Sequence, residues 1–358
     1  MVLVANNKKP ISSLRLLNFR SYDDYAVELT AGVNIVVGPN ASGKTNLLES
    51  VLLISGLKTY RAGTGSVISF GKNWSRIDCQ IDGGSRVLKL TNNQGKLEKS
   101  FNINTKIKKR LSFEERLPLV LFEPEHMRLL TGSPELRRTF LDDLLTETSP
   151  IYSKNLSAYR RALLQRNQLL KNSYKDLDQM FVWNIRLSEL AGKIIASRLE
   201  VIENINLKIA DIYSQIADEV TDIRISYLSK MNLVNYQSDY LKQLEQSVEL
   251  DYLRGFTSLG PHRDDFSVII RNQPAEVTAS RGETRTLVLS LKIIEKQFLE
   301  ESHQLKPIVL LDDVFSELDG SRRKSLTKYL DDYQTIITTT DADVISKNFA
   351  QHTNLISL

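Results

Sequence analysis

Gly38-Pro39-Asn40-Ala41-Ser42-Gly43-Lys44-Thr45 keeps the spacing G-x-x-x-x-G-K-[ST] without a departure, and the residues on either side suit it. Val33-Asn34-Ile35-Val36-Val37 reads as a short buried strand before it, and residues 46–54 read as a helix start after it. Gly38 and Gly43 let the backbone turn with its N–H groups facing inward, while the next helix aims its positive end at the same anion. Lys44 is suited to reach the terminal phosphates of a nucleotide. Thr45 offers a hydroxyl to Mg²⁺, a hard cation that prefers oxygen ligands. Pro39, Asn40, Ala41, Ser42 and Asn46 complete the loop around the nucleotide. The stretch predicts an α/β nucleotide-binding fold, and the rest of the chain must say what the nucleotide drives.

With 358 residues, 41% of them hydrophobic, the chain can supply two domains or one large domain carrying an insertion. A formal charge of +4 is mildly basic; it permits a nucleic-acid partner without arguing for one. Cys79 is the single cysteine, which excludes an intramolecular disulfide and a cysteine-built zinc site and suits a reducing compartment. The first ten residues lack the apolar core of a signal peptide, and no apolar run reaches the roughly 18 residues of a membrane span. The expectation is a cytoplasmic protein with no membrane-spanning segment.

Residues 11–19 alternate as a strand, 25–29 as its hairpin partner, and Phe19-Arg20-Ser21-Tyr22 between them reads as a polar turn with aromatic plugs. Arg76-Ile77-Asp78-Cys79-Gln80-Ile81 and Arg86-Val87-Leu88-Lys89-Leu90 are β-like runs bounded by glycine turns. Lys106, Lys108, Lys109 and Arg110 form a basic run, which is ordinarily a solvated face. From 114 to 254 the texture becomes helical, with its longest segments at 152–171 and 177–219; the second would extend roughly 60 Å if unbroken, at about 1.5 Å per residue. After Gly260 the β and helix alternation returns. The nucleotide-binding fold is therefore expected in two parts, 1–113 and 255–358, split by an inserted helical lobe over 114–254.

Pro307-Ile308-Val309-Leu310-Leu311-Asp312-Asp313 is a run of apolar β-formers ending in two acids, the form of a Walker B strand. Asp312 can hold Mg²⁺ through its water shell, and Asp313 is positioned to orient or deprotonate an attacking water. Upstream, Ser280-Arg281-Gly282-Glu283 opens a helix, and Ser280 with Glu283 has capping-box spacing. The same helix start could present N–H groups and a hydroxyl to a phosphate.

Together these pieces resemble an ABC-type ATPase head: a P-loop, mixed β-sheet with flanking helices, a long insertion, a signature at Ser280–Glu283, Walker B, and a D-loop-like Ser316-Glu317-Leu318-Asp319. More narrowly, the chain resembles the RecF family of bacterial recombination and repair proteins. That resemblance rests on Gly38–Asn46, Gly132-Ser133-Pro134 with Arg137-Arg138, Gln165-Arg166-Asn167, Gly260-Pro261-His262-Arg263-Asp264-Asp265, the signature, and Leu311–Asp319. It implies ATP and Mg²⁺ binding, dimerisation on ATP, and slow hydrolysis. Ser280 of one subunit would then face the γ-phosphate held by the other's Lys44, with Gly282, Glu283 and Asp319 beside the nucleotide and Arg20 near it. It further implies a clamp on double-stranded and gapped DNA that works with RecO and RecR to load RecA and supports the SOS response.

Some features depart from the wider ABC pattern. Asp313 stands where many ABC ATPases carry Glu, Phe122-Glu123-Pro124-Glu125-His126 has no glutamine for a metal-contacting loop, and Thr338-Thr339-Thr340-Asp341 lacks a switch histidine. An SMC-like head is disfavoured because about 140 residues cannot supply a long coiled coil. A transporter subunit would leave Gly260–Asp265 unexplained, and a small-molecule kinase needs no signature helix.

Overall fold

The structure, a computed structural model, describes residues 8–59, 67–172, 174–341 and 353–358. Residues 1–7 of the N-terminal stretch and the side chains of Ser316 and Glu317 in the D-loop-like stretch lie outside them. Among the described residues no helix is long and apolar enough to cross a membrane.

Alternation builds the first sheet. β1 (Ile11–Phe19) and β2 (Tyr22–Glu28) form an antiparallel hairpin that buries Leu14 and Leu16, with Arg15 paired to Asp24 at 2.7 Å on the exposed side. β3 (Val33–Val37) and α1 (Lys44–Ser55) flank the phosphate loop. β4 (Trp74–Ile81), β5 (Gly84–Asn93), β6 (Lys96–Ile103) and β7 (Lys106–Lys108) extend the hairpin into six antiparallel strands, ordered β2-β1-β4-β5-β6-β7. β8 (Leu119–Phe122) then leaves this sheet altogether.

Next come α2 (Arg128–Thr131), α3 (Pro134–Thr148), α4 (Pro150–Leu169), α5 (Leu177–Asn206) and α6 (Ile209–Ala217). They are followed by β9 (Ile223–Leu228), α7 (Tyr236–Gln246), α8 (Val248–Arg254), β10 (Asp265–Ile270), β11 (Gln273–Pro274) and α9 (Ala275–Thr278). α10 (Arg281–His303) leads to β12 (Ile308–Asp312), α11 (Val314–Glu317), α12 (Gly320–Leu330), β13 (Thr335–Thr339) and β14 (Asn354–Ser357).

Contacts divide the chain into two units, one within Met1–His126 and Glu295–Leu358, the other Met127–Ile294. In the first, β14-β3-β13-β12-β8 form a second sheet, all parallel. β8 and β12 are near-continuous buried apolar runs, as strands covered on both faces require, and β13 is buried throughout although three of its five residues are threonines. Residues of α1, of both sheets and of the β1–β2 hairpin share one core cluster, so α1 is enclosed. Every residue from Leu47 to Ser55 is buried, Glu49 among them. A helix apolar nearly all round belongs in such a place. Truncating Leu48 there costs about 2–5 kcal/mol.

The lobe expected over 114–254 therefore has different bounds. β8 falls inside that range yet pairs with β12, Ile308 opposite Leu119, and the second unit runs on to Ile294, within α10. Nor is that unit helical throughout. β9, β10 and β11 make a three-stranded antiparallel sheet, and β9 alternates buried and exposed residues in strict period two. The single helix expected over 177–219 is two, α5 and α6. Asn206 ends α5 by accepting the N–H of Ile225 at 2.6 Å and donating to its carbonyl at 3.0 Å, which ties the helix end to β9.

Candidate nucleotide site

The phosphate loop is wound through left-handed backbone at Ala41 (φ 67°) and Gly43 (φ 106°). A Cβ on Gly38 would stand 2.5 Å from the Ser42 hydroxyl oxygen, and one on Gly43 would stand 2.7 Å from the Tyr22 hydroxyl. Neither position admits a side chain without a shift. α1 begins at Lys44 with no side chain capping its first N–H groups, which leaves donors directed at the loop. Lys44 is buried, and its Nζ donates to the carbonyls of Gly38 at 2.8 Å and Pro39 at 2.9 Å. Ser42 Oγ is buried and has no hydrogen-bond partner. A buried hydroxyl left unsatisfied costs on the order of 1–3 kcal/mol, which an anion in the loop would relieve.

Asp312, at the end of β12, comes to the same place. Its Oδ1 accepts from the Thr45 hydroxyl at 3.1 Å and from the Thr338 hydroxyl at 2.7 Å. Thr45 and Asp312 thus bring hard oxygen donors together at the helix start, a set that fits Mg²⁺. Asp313 follows in left-handed backbone, φ 55°, at the cap of α11. After β8, Glu123 and His126 close on each other, the Glu123 N–H reaching His126 Nδ1 at 3.1 Å. Among the described residues no cluster of three or more His, Cys, Asp or Glu side chains is poised for a metal.

Arg20 reaches the helix that follows the loop. Its guanidinium pairs with the buried Glu49 carboxylate of α1 through contacts of 2.9 and 3.0 Å. Its neighbours also tie down the loop: Asn46 donates to Ser21 Oγ at 2.9 Å and the Tyr22 hydroxyl to the Gly43 carbonyl at 3.1 Å. The turn read as polar with aromatic plugs is a clasp on the phosphate loop. Asp319 caps α12, accepting the Arg322 N–H at 2.9 Å and pairing with the Arg322 side chain, which with its bound N–H groups holds its carboxyl below the usual range.

In the second unit, Ser280 and Glu283 form the capping box their spacing predicts. The Glu283 carboxylate accepts the Ser280 N–H at 2.7 Å and Ser280 Oγ accepts the Glu283 N–H at 3.2 Å. Glu283 also pairs with Arg271, and the Gly282 carbonyl accepts the Thr286 hydroxyl at 3.0 Å. Ser280 and Arg281 face solvent.

Residues 10–356 match the family model described as the RecF/RecN/SMC N terminal domain. The chain is 36% identical over 334 residues to a DNA replication and repair protein RecF of Clostridium beijerinckii, covering 92% of this chain and 91% of that one. A RecF of Clostridium botulinum is 36% identical over 350 residues, 94% of each. The chain belongs to the RecF family. The recombination mediator protein RecF of the RecFOR pathway, solved as RecF-ATP, superimposes with a TM-score of 0.85 at 27% identity, covering 94% of this chain and 93% of that one. A Smc head domain from Pyrococcus furiosus shares the fold at 15% identity, with a TM-score of 0.54.

Several residues of the stretches that carry the RecF resemblance outside the ATP motifs, Arg137, Arg166, Gly260, Pro261 and Asp264 among them, are buried. Arg137 pairs bidentately with Asp265 at 2.7 and 2.8 Å. Arg166, fully buried, holds Asn184, Asp251 and Thr257. Gly260 has φ 122° and no room for a Cβ against Tyr240 and Tyr159, and the Pro261 carbonyl accepts Arg198 at 2.8 Å. His262 bridges the Tyr159 hydroxyl at 2.7 Å and the Thr257 carbonyl at 3.1 Å, and Asp264 accepts from Tyr227, Tyr236 and Ser229. These RecF-family motifs brace the second unit. Tyr22 and Thr338 were noted in the sequence only as part of a turn with aromatic plugs and of the stretch that lacks a switch histidine; their bonds to the Gly43 carbonyl and to Asp312 were not foreseen. The adjacent hydroxyls of Thr338 and Thr339 at the buried end of β13 mark the stretch as unusual for an apolar core, but they do not say which of them meets Asp312.

Proposed function

We propose that this chain is an ATP-driven clamp on DNA. An ATPase role in DNA replication and repair comes with membership of the RecF family, two of whose solved relatives were captured with an ATP-type nucleotide. The finer reading is that ATP dimerises the chain, that the dimer holds double-stranded and gapped DNA, and that hydrolysis, slow and stimulated by DNA, releases it. RecO and RecR are its proposed partners in loading RecA and supporting the SOS response.

The observation that carries this reading is the meeting of Thr45 and Asp312, 267 residues apart, beside the uncapped start of α1. Lys44 exchanges the Gly38 and Pro39 carbonyls for phosphate oxygens, and the loop N–H groups take the remaining charge. Thr45 and Asp312 would hold Mg²⁺, which neutralises phosphate charge when bound. Asp313 orients the attacking water; being one methylene shorter than Glu, it suits a slow switch. Ser280 and Gly282, at a helix start facing solvent, complete the partner subunit's site in this reading, with Glu283 holding the cap.

The test is binding to a labelled gapped duplex at two salt concentrations with no nucleotide, ATP or ADP, while mass is followed in the same samples. The expected result is a dimer that holds DNA only with ATP and weakens steeply with salt, because contacts to phosphates release counterions. ATP binding without DNA binding would overturn the clamp.

A further inference from the structure

We propose that Thr338 is a positioning residue for ATP hydrolysis that holds both Walker B acids through one hydroxyl; this rests on the ATPase reading above. The parallel register of β12 and β13 sets Asp312 directly against Thr338, and Thr338 is fully buried. A hydroxyl has one proton to give and lone pairs to receive. Leu311's carbonyl at 3.4 Å is the poorer acceptor, so the proton goes to Asp312 Oδ1 at 2.7 Å. Thr338 Oγ1 in turn receives the Asp313 N–H at 3.1 Å. The order Asp313 N–H to Thr338 O–H to Asp312 carboxylate is a relay in which each bond polarises the next.

Two features make the relay matter. Asp313 sits at φ 55°, a left-handed backbone that a non-glycine residue keeps only when its surroundings enforce it. Thr338 supplies one of the bonds that enforce it. Asp312 Oδ1 also receives the Thr45 hydroxyl at 3.1 Å. When Thr45 turns to the nucleotide's metal, Thr338 remains to fix the carboxylate. The neighbouring hydroxyl cannot substitute, because Thr339 Oγ1 accepts the Asp341 N–H at 3.1 Å and donates to its carbonyl at 3.0 Å. Thr338 is fully buried and holds Asp312 by its carboxylate and Asp313 by its backbone N–H, so it positions them and is not itself a phosphate sensor.

The experiment compares Thr338→Val, which keeps the shape and loses the hydroxyl, with Thr338→Ser, which keeps the hydroxyl. Thr338→Val is expected to lower kcat about 10- to 100-fold, the scale of a small misplacement of catalytic groups. ATP affinity without Mg²⁺ stays within about threefold, because Lys44 and the loop are untouched, and the Mg²⁺ concentration for half-saturation rises. Without any nucleotide, amide hydrogen exchange of the peptide carrying Asp313 speeds up. Thr338→Ser restores each readout. If the valine variant does not fold, Thr338→Ala carries the same expectations. Unchanged kcat with unchanged exchange, equal damage by valine and serine, or metal-free ATP affinity falling in step with kcat would each overturn the proposal. A parent chain that binds no ATP overturns the ATPase reading instead, and the nucleotide-free exchange still decides whether the relay exists.

Discussion

Tyr22 donates its hydroxyl to the Gly43 carbonyl at 3.1 Å, across 21 residues, and so fastens the turn after β1 to the phosphate loop where α1 begins. Burial pushes the phenol well up, which keeps it a donor throughout the physiological range. Tyr22→Phe is expected to cost about 1 kcal/mol in urea denaturation, the net worth of one such bond. Gly43→Ala is expected to be far worse for the nucleotide: it puts a methyl 2.7 Å from the same hydroxyl at φ 106°, and calorimetry should find ATP binding weakened at least about tenfold.

Asp313→Asn separates charge from backbone. Asparagine tolerates left-handed φ as well as aspartate does, so the turn at φ 55° should survive. Single-turnover hydrolysis should fall by about 100-fold or more while ATP affinity changes little. Retained turnover would remove Asp313 from the water-orienting role.

Dimerisation can be dissected from both sides. Lys44→Met should abolish the ATP-induced increase of mass in light scattering, because the ammonium that meets the phosphates is gone. Ser280→Arg should leave ATP binding by the monomer intact and still block the dimer. Collapse of nucleotide affinity in the monomer would sink the assignment of Ser280 to the partner's site.

Arg166 and Asp251 are both fully buried and lie 2.8 Å apart. Removing one partner leaves the other charge uncompensated, so Arg166→Met should cost about 3–5 kcal/mol in the second unit's denaturation. The double variant that also carries Asp251→Leu should recover much of the loss.

Burial, opposed by the bond to the Thr257 carbonyl and assisted by Arg263, Arg138 and Arg198, lowers His262 from 6.5 to about 4. Between those values the unfolded chain takes a proton that the folded chain refuses. Stability from this group is therefore complete above pH 6.5 and declines as pH falls toward 4, by about 2–3 kcal/mol at pH 4.5. Asp264, raised by burial, acts with the opposite sign. Denaturation at pH 7, 5.5 and 4.5 should show a shallower decline for His262→Gln than for the parent; parallel curves would refute the effect.

The phosphate loop, its strand, the Walker B strand and the capping box of α10 were legible because each is local: a fixed spacing, a short apolar run, or a pair three residues apart. β8 was missed because Leu119-Val120-Leu121-Phe122 is too short to show a period, and its partner β12 lies 189 residues away in register, Leu119 to Ile308. β9 was legible in principle, since Ile223-Arg224-Ile225-Ser226-Tyr227-Leu228 alternates, but the helical texture on both sides masked it. The pairing of Arg20 with Glu49 was not legible, because Glu49 looks in the sequence like an ordinary helix glutamate; only the enclosure of α1 makes a buried carboxylate demand a guanidinium. Thr338 depends on the register of two parallel strands, which no local pattern encodes.

β3 has a consequence on the ribosome. Both of its neighbours, β13 and β14, are made about 300 residues after it, an interval of roughly 15 to 60 s at ~5–20 residues per second. For that time Val33-Asn34-Ile35-Val36-Val37 is a nascent strand with two open edges, a template for wrong pairing. The second unit's elements emerge in the meantime and find their partners among themselves. Translation that stalls after the second unit has emerged but before Asp312 has been made thus yields chains with a finished lobe and no nucleotide site, and competence for ATP reports that the ribosome has read through to β13.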